Sequence, residues 1–179
     1  MMYVIVDSNS GKLLAVGDTF FTIEGHTTYA IEDNEDIRLN PSSYILTENE
    51  MLIKDESYIL ETAKAGKGKE LEDACRESIL NGFPYTINGV EYHFSYDYEA
   101  QGNFRDAKEA LLDGSIPEVR WTVRKDGEIH RVLITKEIIV DLCREAMTQK
   151  NDKISRLRDF LMLILEGCTT IEDINQLNW

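Results

Sequence analysis

Residues 84–121 read PYTINGVEYHFSYDYEAQGNFRDAKEALLDGSIPEVRW. Tyr85, Ile87, Val90 and Tyr92 alternate with polar residues on either side of Asn88-Gly89. That dipeptide accepts the two positive φ values of a type I′ turn, whose twist matches the paired strands, so the stretch opens as a two-residue hairpin. Asn103 is then expected to cap a helix with Phe104, Ala107 and Leu111 on one side, stopped by Asp113-Gly114. A further strand enters at Val119 and Trp121. Strand pairs alternating with helices on a short scale make the fold class α+β.

The same change of period recurs toward the C-terminus. Residues 119–123 and 129–134 form a second hairpin across residues 124–128, with Gly127 supplying the left-handed position. Thr135 caps a helix in which Ile139, Leu142, Cys143 and Ala146 share a face. Asn151 or Asp152 is expected to start another, with Ile154, Leu157, Leu161, Ile164 and Leu165 inward and Gly167 ending it. Thr169-Thr170-Ile171-Glu172 reads as a capping box, its hydroxyl and carboxylate each satisfying a free amide. A last helix carries Ile171, Ile174 and Leu177 to Trp179, whose ring is expected to pack on the domain. Residues 83–179 are therefore read as one domain of two β-hairpins packed with four or more helices.

Toward the N-terminus, residues 57–82 read as a helical connector. Leu71, Ala74, Cys75, Ser78 and Ile79 line one face, Asn81-Gly82 ends the run and Pro84 blocks a restart. Gly66 and Gly68 each cost about 1 kcal/mol relative to Ala inside a helix. Both one kinked helix and two helices with a joint at Gly66/Gly68 fit, with residues 65–69 as the linker. Residues 1–56 read as a small antiparallel β module. Strands are expected at 2–6, 12–16, 19–23, 27–31, 44–46 and 51–53, joined by loops at 7–11, 24–26 and 47–50. Strands this short need each other or a partner protein.

Composition sets limits on function. The 179 residues carry a formal net charge of −14. Residues 1–82 hold 7 basic and 16 acidic side chains, and residues 83–179 hold 12 and 17. Such a surface repels phosphate backbones and anionic lipids, which argues against nucleic-acid or membrane partners. Neither a secretory signal nor a membrane helix is legible. Cys75, Cys143 and Cys168 have no metal-ligand spacing and read as reduced, packed thiols from a cytoplasmic site of synthesis.

No motif carries bond-making chemistry. Residues 64–70, KAGKGKE, lack the Ser/Thr and the upstream Gly of a phosphate loop and read as a solvated basic linker. The acidic residues Glu32, Asp33, Glu35 and Asp36 lack the Gly and distal Glu of a calcium loop and read as a solvated turn. His26, His93 and His130 are far apart, and His93 and His130 read as surface strand residues. No nucleophile has a legible base. The sequence therefore points to a non-enzyme with no cofactor and no metal. Tyr92, Phe94, Tyr96 and Tyr98 form an aromatic run dense enough to be a candidate partner contact. Alternation turns about half of the aromatics in this region inward.

One resemblance gives these generic signals a direction. Cys75, Ile79, Asn81-Gly82-Phe83 and Ile87-Asn88-Gly89-Val90-Glu91-Tyr92-His93-Phe94 stand in an order that resembles a domain-of-unknown-function family. That family occurs in bacteriophage tail-fibre, baseplate and tail-assembly proteins. The likeness continues through Asp97-Tyr98, Gln101-Gly102-Asn103-Phe104, Trp121-Thr122, Lys125-Asp126-Gly127 and Trp179, covering about residues 70–179. The first 60 residues are similar to the β module that opens small tail proteins of phages of Gram-positive bacteria. The resemblance implies a structural component of a phage or phage-like tail, made in the bacterial host cytoplasm and resident in the virion. Its implied partners are tail, baseplate or fibre proteins, with a homo-oligomer following the tail's symmetry. An assembly chaperone for a fibre or receptor-binding protein is the alternative. An acidic decoy mimicking nucleic acid ranks below both, because the acidic residues are interleaved with Lys and Arg.

Overall fold

A computed structural model of the chain describes residues 1–179, which form two units, Met1–Ala65 and Gly66–Trp179. The first is built on β1 (Met2–Asp7), the one strand apolar on both faces, with Met2, Val4, Ile5 and Val6 all buried. A strand of that composition needs cover on both sides. It takes the middle of an antiparallel sheet between β2 (Leu13–Gly17) and β3 (His26–Ile31). The loop from β1 to β2 closes on Asp7, whose carboxylate accepts from the amides of Asn9 and Ser10. A second hairpin, β4 (Tyr44–Leu46) with β5 (Leu52–Lys54), completes the unit.

Two readings of this unit need correction. Residues 19–23 pair with nothing as a strand, because both edges of β1 are taken by β2 and β3. The segment is held instead by the Thr28 hydroxyl, which donates to the Phe21 carbonyl, and by an edge-on contact between Phe20 and Tyr3. The acidic stretch is the start of a short helix rather than a plain turn. Asn34 caps α1 (Glu35–Leu39) by accepting from the Ile37 amide, and Glu35 and Asp36 fill its first turn, where carboxylates suit the helix dipole.

Helix α2 (Glu56–Asn81) is one uninterrupted element running through the boundary between the units, so residues 65–69 are helical rather than a linker. Gly68 is buried, and a Cβ built there would lie 3.6 Å from Leu165 and from Met162. The second unit continues with β6 (Phe83–Ile87), β7 (Val90–Phe94), α3 (Tyr98–Asp113), β8 (Val119–Lys125) and β9 (Glu128–Ile134). The four strands form one antiparallel sheet in sequence order. The first turn is as expected, with φ of 52° at Asn88 and 78° at Gly89. The second is tighter than expected: Asp126-Gly127 repeats those values, so the loop has two residues and the strands extend to Lys125 and Glu128.

Several helices of the second unit begin elsewhere than their sequence signals indicate. Helix α3 begins at Tyr98, capped by the Asp97 carboxylate on the Ala100 amide, and Asn103 lies inside it. Gly102 is tolerated inside it; one glycine costs about 1 kcal/mol, which a good cap and the burial of Phe104 offset. No helix starts at Asn151 or Asp152. Helix α4 (Lys136–Ser155) passes through a π-helical segment, Arg156–Leu161, into α5 (Met162–Gly167). Thr135 holds the N-cap position of α4, but its hydroxyl donates to Glu137 rather than accepting from an amide. The final cap is shifted by one residue: Thr170, not Thr169, accepts from the Asp173 amide and starts α6 (Ile171–Gln176). Ile164, expected inward, is exposed. The core lies between α3, α4 and one face of the sheet, around Phe83, Phe94, Phe104, Val123, Ile139 and Leu142.

Candidate functional site

The inward face of the sheet is aromatic where β6 and β7 pair, and α3 brings Phe104 onto it. Phe83 and Phe94 stack at 5.9 Å, Tyr96 meets Phe83 and Phe104 at 5.8 Å, and Phe104 lies 4.6 Å from Trp121. These rings form one connected cluster drawn from β6, β7, α3 and β8. Phe94 is wholly buried in it, and Tyr92 and Tyr96 are half-buried against the core. Of the four candidate contact residues only Tyr98, 74% exposed, projects freely into solvent. Phe94 therefore offers nothing to a partner, since its alternation position turns it inward.

Beside this cluster is a groove of about 520 Å³ between α3 and the first half of β8. Two local features open it. The register of β7 with β8 consists of the single pair His93–Arg124, so the first residues of β8 run on without β7 alongside. Along α3, Ala100, Asn103, Ala107 and Ala110 recur at helical spacing, and three of them are too small to fill the gap. Ile116, Val119 and Trp121 make the apolar floor, and Asp97, Glu99 and Asp106 set an acidic rim. An apolar floor with few polar groups at the edge suits recognition of an extended segment or a small ligand. The half-buried indole of Trp121 was read from sequence as part of a strand and of the resemblance, not as a candidate contact. The small-residue spacing along α3, followed by a Trp on an inward strand position, is the signal that could have found it.

The histidines, the cysteines and Lys67 are engaged in local contacts of the fold. His93 hydrogen-bonds with the Asn81 carbonyl at 2.7 Å and His26 with that of Glu24 at 2.8 Å, while the His130 ring faces Tyr92 at 6.1 Å. The three histidines share no site. Cys75 and Cys168 are buried and Cys143 half-buried, all as free thiols; burial pushes the Cys75 and Cys143 thiols up, away from the reactive thiolate. Lys67 pairs with Glu70 at 2.9 Å along α2, where a phosphate loop would need an open turn. No three His, Cys, Asp or Glu side chains are grouped to hold a metal ion. No helix is long and apolar enough to cross a membrane.

Asp36 has the most perturbed carboxylate. It accepts from the Tyr44 hydroxyl at 2.6 Å and from Asn40 at 3.1 Å, and it pairs with Lys54 at 2.9 Å. Together these hold its pKa down to about 2. The group ties α1 to the β4–β5 hairpin, a structural duty.

Among known proteins, a family model described as Domain of unknown function (DUF4376) matches residues 62–177. No curated protein and no solved structure matches the chain.

Proposed function

The chain belongs to the DUF4376 family, and from that premise we propose that it is a non-enzymatic structural component of a phage or phage-like tail, a baseplate part or fibre connector at the distal end. The observation that carries this reading is the presence of two separately cored units, each able to offer a surface of its own. A connector needs two binding surfaces, whereas a chaperone needs one. The tail location rests on the ordered likeness from Asn81-Gly82-Phe83 to Lys125-Asp126-Gly127. The acidic-rimmed groove at Trp121 supports a role in holding another protein's segment, since its apolar floor would be covered by a bound chain. The open sheet edge at β3 is suited to strand addition, where backbone hydrogen bonds supply the contact.

The test is to purify particles through a density gradient and count this protein against a tail-tube protein. Stoichiometric presence, lost together with the fibres when residues 1–56 are deleted, is the expected result. Absence from mature particles, with misfolded fibres when the gene is removed, would establish the chaperone role instead.

A further inference from the structure

The face of the four-stranded sheet turned away from the core departs from the rest of the surface. On β8 it carries Arg120, Thr122 and Arg124; on β9 it carries Ile129, Arg131 and Leu133, paired in register as Arg120 with Leu133, Thr122 with Arg131 and Arg124 with Ile129. All six are exposed, Ile129 at 68% and Leu133 at 46%. The chain has 33 acidic and 19 basic residues, yet none of these three arginines has a carboxylate within ion-pairing distance. The half-buried His93 lies beside Arg124, and the acids nearby are Glu91 on β7 and Asp126 in the β8–β9 turn. β9 is also the edge of the sheet.

We propose that this outer face is a docking surface for an acidic, extended protein segment that carries apolar residues between its carboxylates. Charge decides the partner's sign: three unpaired guanidiniums on an otherwise anionic protein select a negative surface and steer it to this face. Arginine is weakly hydrated and binds carboxylates in bidentate fashion, so it suits a contact that excludes water. Ile129 and Leu133 require apolar partners, which a polyphosphate does not supply. The outer face has no Phe, Tyr or Trp on which a base could stack, and the net charge of −14 repels nucleic acid at longer range. An extended segment matches the alternating pattern of a strand surface and can lie along the open edge of β9. This inference rests on the reading that the chain works by binding other proteins, and it is independent of the tail location.

The experiment uses the purified full-length protein and a fluorescein-labelled peptide of alternating Glu and Leu, with a single-stranded oligonucleotide of equal charge as the competing probe. Saturable peptide binding that weakens with salt is expected. It should fall about tenfold or more in R120Q/R124Q/R131Q and be partly retained in R120K/R124K/R131K. All six substitutions are at exposed positions, and an unchanged circular-dichroism melt confirms that the variants are folded. No saturable binding, equal binding by the Gln variant, or tighter binding of the oligonucleotide would each overturn the proposal. So would arginine-dependent self-association in sedimentation, which would assign the face to a second copy. Because the peptide measurement needs no particle, this proposal and the tail assignment fail separately.

Discussion

At Gly82 the chain leaves α2 with φ of 101°, and a Cβ on that residue would collide with the carbonyl oxygen of Phe94. The corner is tied from two other directions. His93 hydrogen-bonds with the Asn81 carbonyl at 2.7 Å, and the Lys153 ammonium donates to the carbonyls of Ser78 at 2.8 Å and Gly82 at 3.2 Å, placing a cation at the helix C-terminus. Gly82→Ala should therefore cost more than about 2 kcal/mol in urea denaturation; a loss under half of that would mean the corner relaxes freely. Asp36 provides a pH-dependent counterpart. Its folded pKa, about 2, lies below the ordinary 3.8. The stabilisation it gives is thus complete above about pH 4 and is lost as pH falls toward 2. Asp36→Asn should flatten the stability profile in that window and leave its shape unchanged above it, as read from urea midpoints. A wild-type slope in the variant would remove Asp36 as the cause.

Among the elements, α3 and α2 make opposite predictions. The cap of α3 is Asp97, so Asp97→Ala should cost about 1 kcal/mol, while Asn103→Ala, inside the helix and exposed, should be near neutral. Reversed effects would restore Asn103 as the cap. In α2, Gly66 has ordinary φ and nothing within 4 Å of a built Cβ. Gly66→Ala should stabilise by about 0.5–1 kcal/mol, because a helix position gains propensity without a clash. A destabilised variant would mean that the bend freedom of glycine is used. The run from α4 to α5 departs from expectation at its start and at Ile164, while Leu157, Leu161 and Leu165 face inward as their spacing indicates. Residues 160–165 are all apolar, and such a run fits several inward faces; the π-helical segment then rotates Leu157, Leu161 and Leu165 inward and leaves Phe160, Leu163 and Ile164 exposed.

For the whole molecule, the cluster around Phe94 draws its buried residues from Phe83 to Ala146, all within the second unit. A fragment starting at Glu56 and ending at Trp179 should keep a cooperative melt by circular dichroism; a non-cooperative one would show that the first unit is needed to fold the second. Trp179 belongs to the same scale, because it closes the chain back onto its own unit. Its ring is half-buried and lies 5.0 Å from the Arg156 guanidinium. Trp179→Ala should then cost about 1 kcal/mol, below the roughly 3–5 kcal/mol of a fully buried Trp.

What the sequence determined by itself is local. Asn88-Gly89 and Asp126-Gly127 specify their turns because few residues accept φ near 50–80°, Gly114 stops α3 for the same reason, and alternation set which strand faces meet the core. Those signals act within a few residues and hold in any surroundings. Tertiary structure decided where long-range competition enters. Residues 19–23 have strand composition but no free edge of β1 to pair with. Residues 66–68 have a joint's composition but lie in a continuous helix whose buried Gly68 faces Met162 and Leu165. The groove at Trp121 left only a faint signal in the small residues of α3, and the unpaired arginines of the outer face left none. The groove arises because β7 ends beside β8 at His93–Arg124, and the freedom of the arginines from carboxylate partners depends on which acidic side chains other segments bring near them.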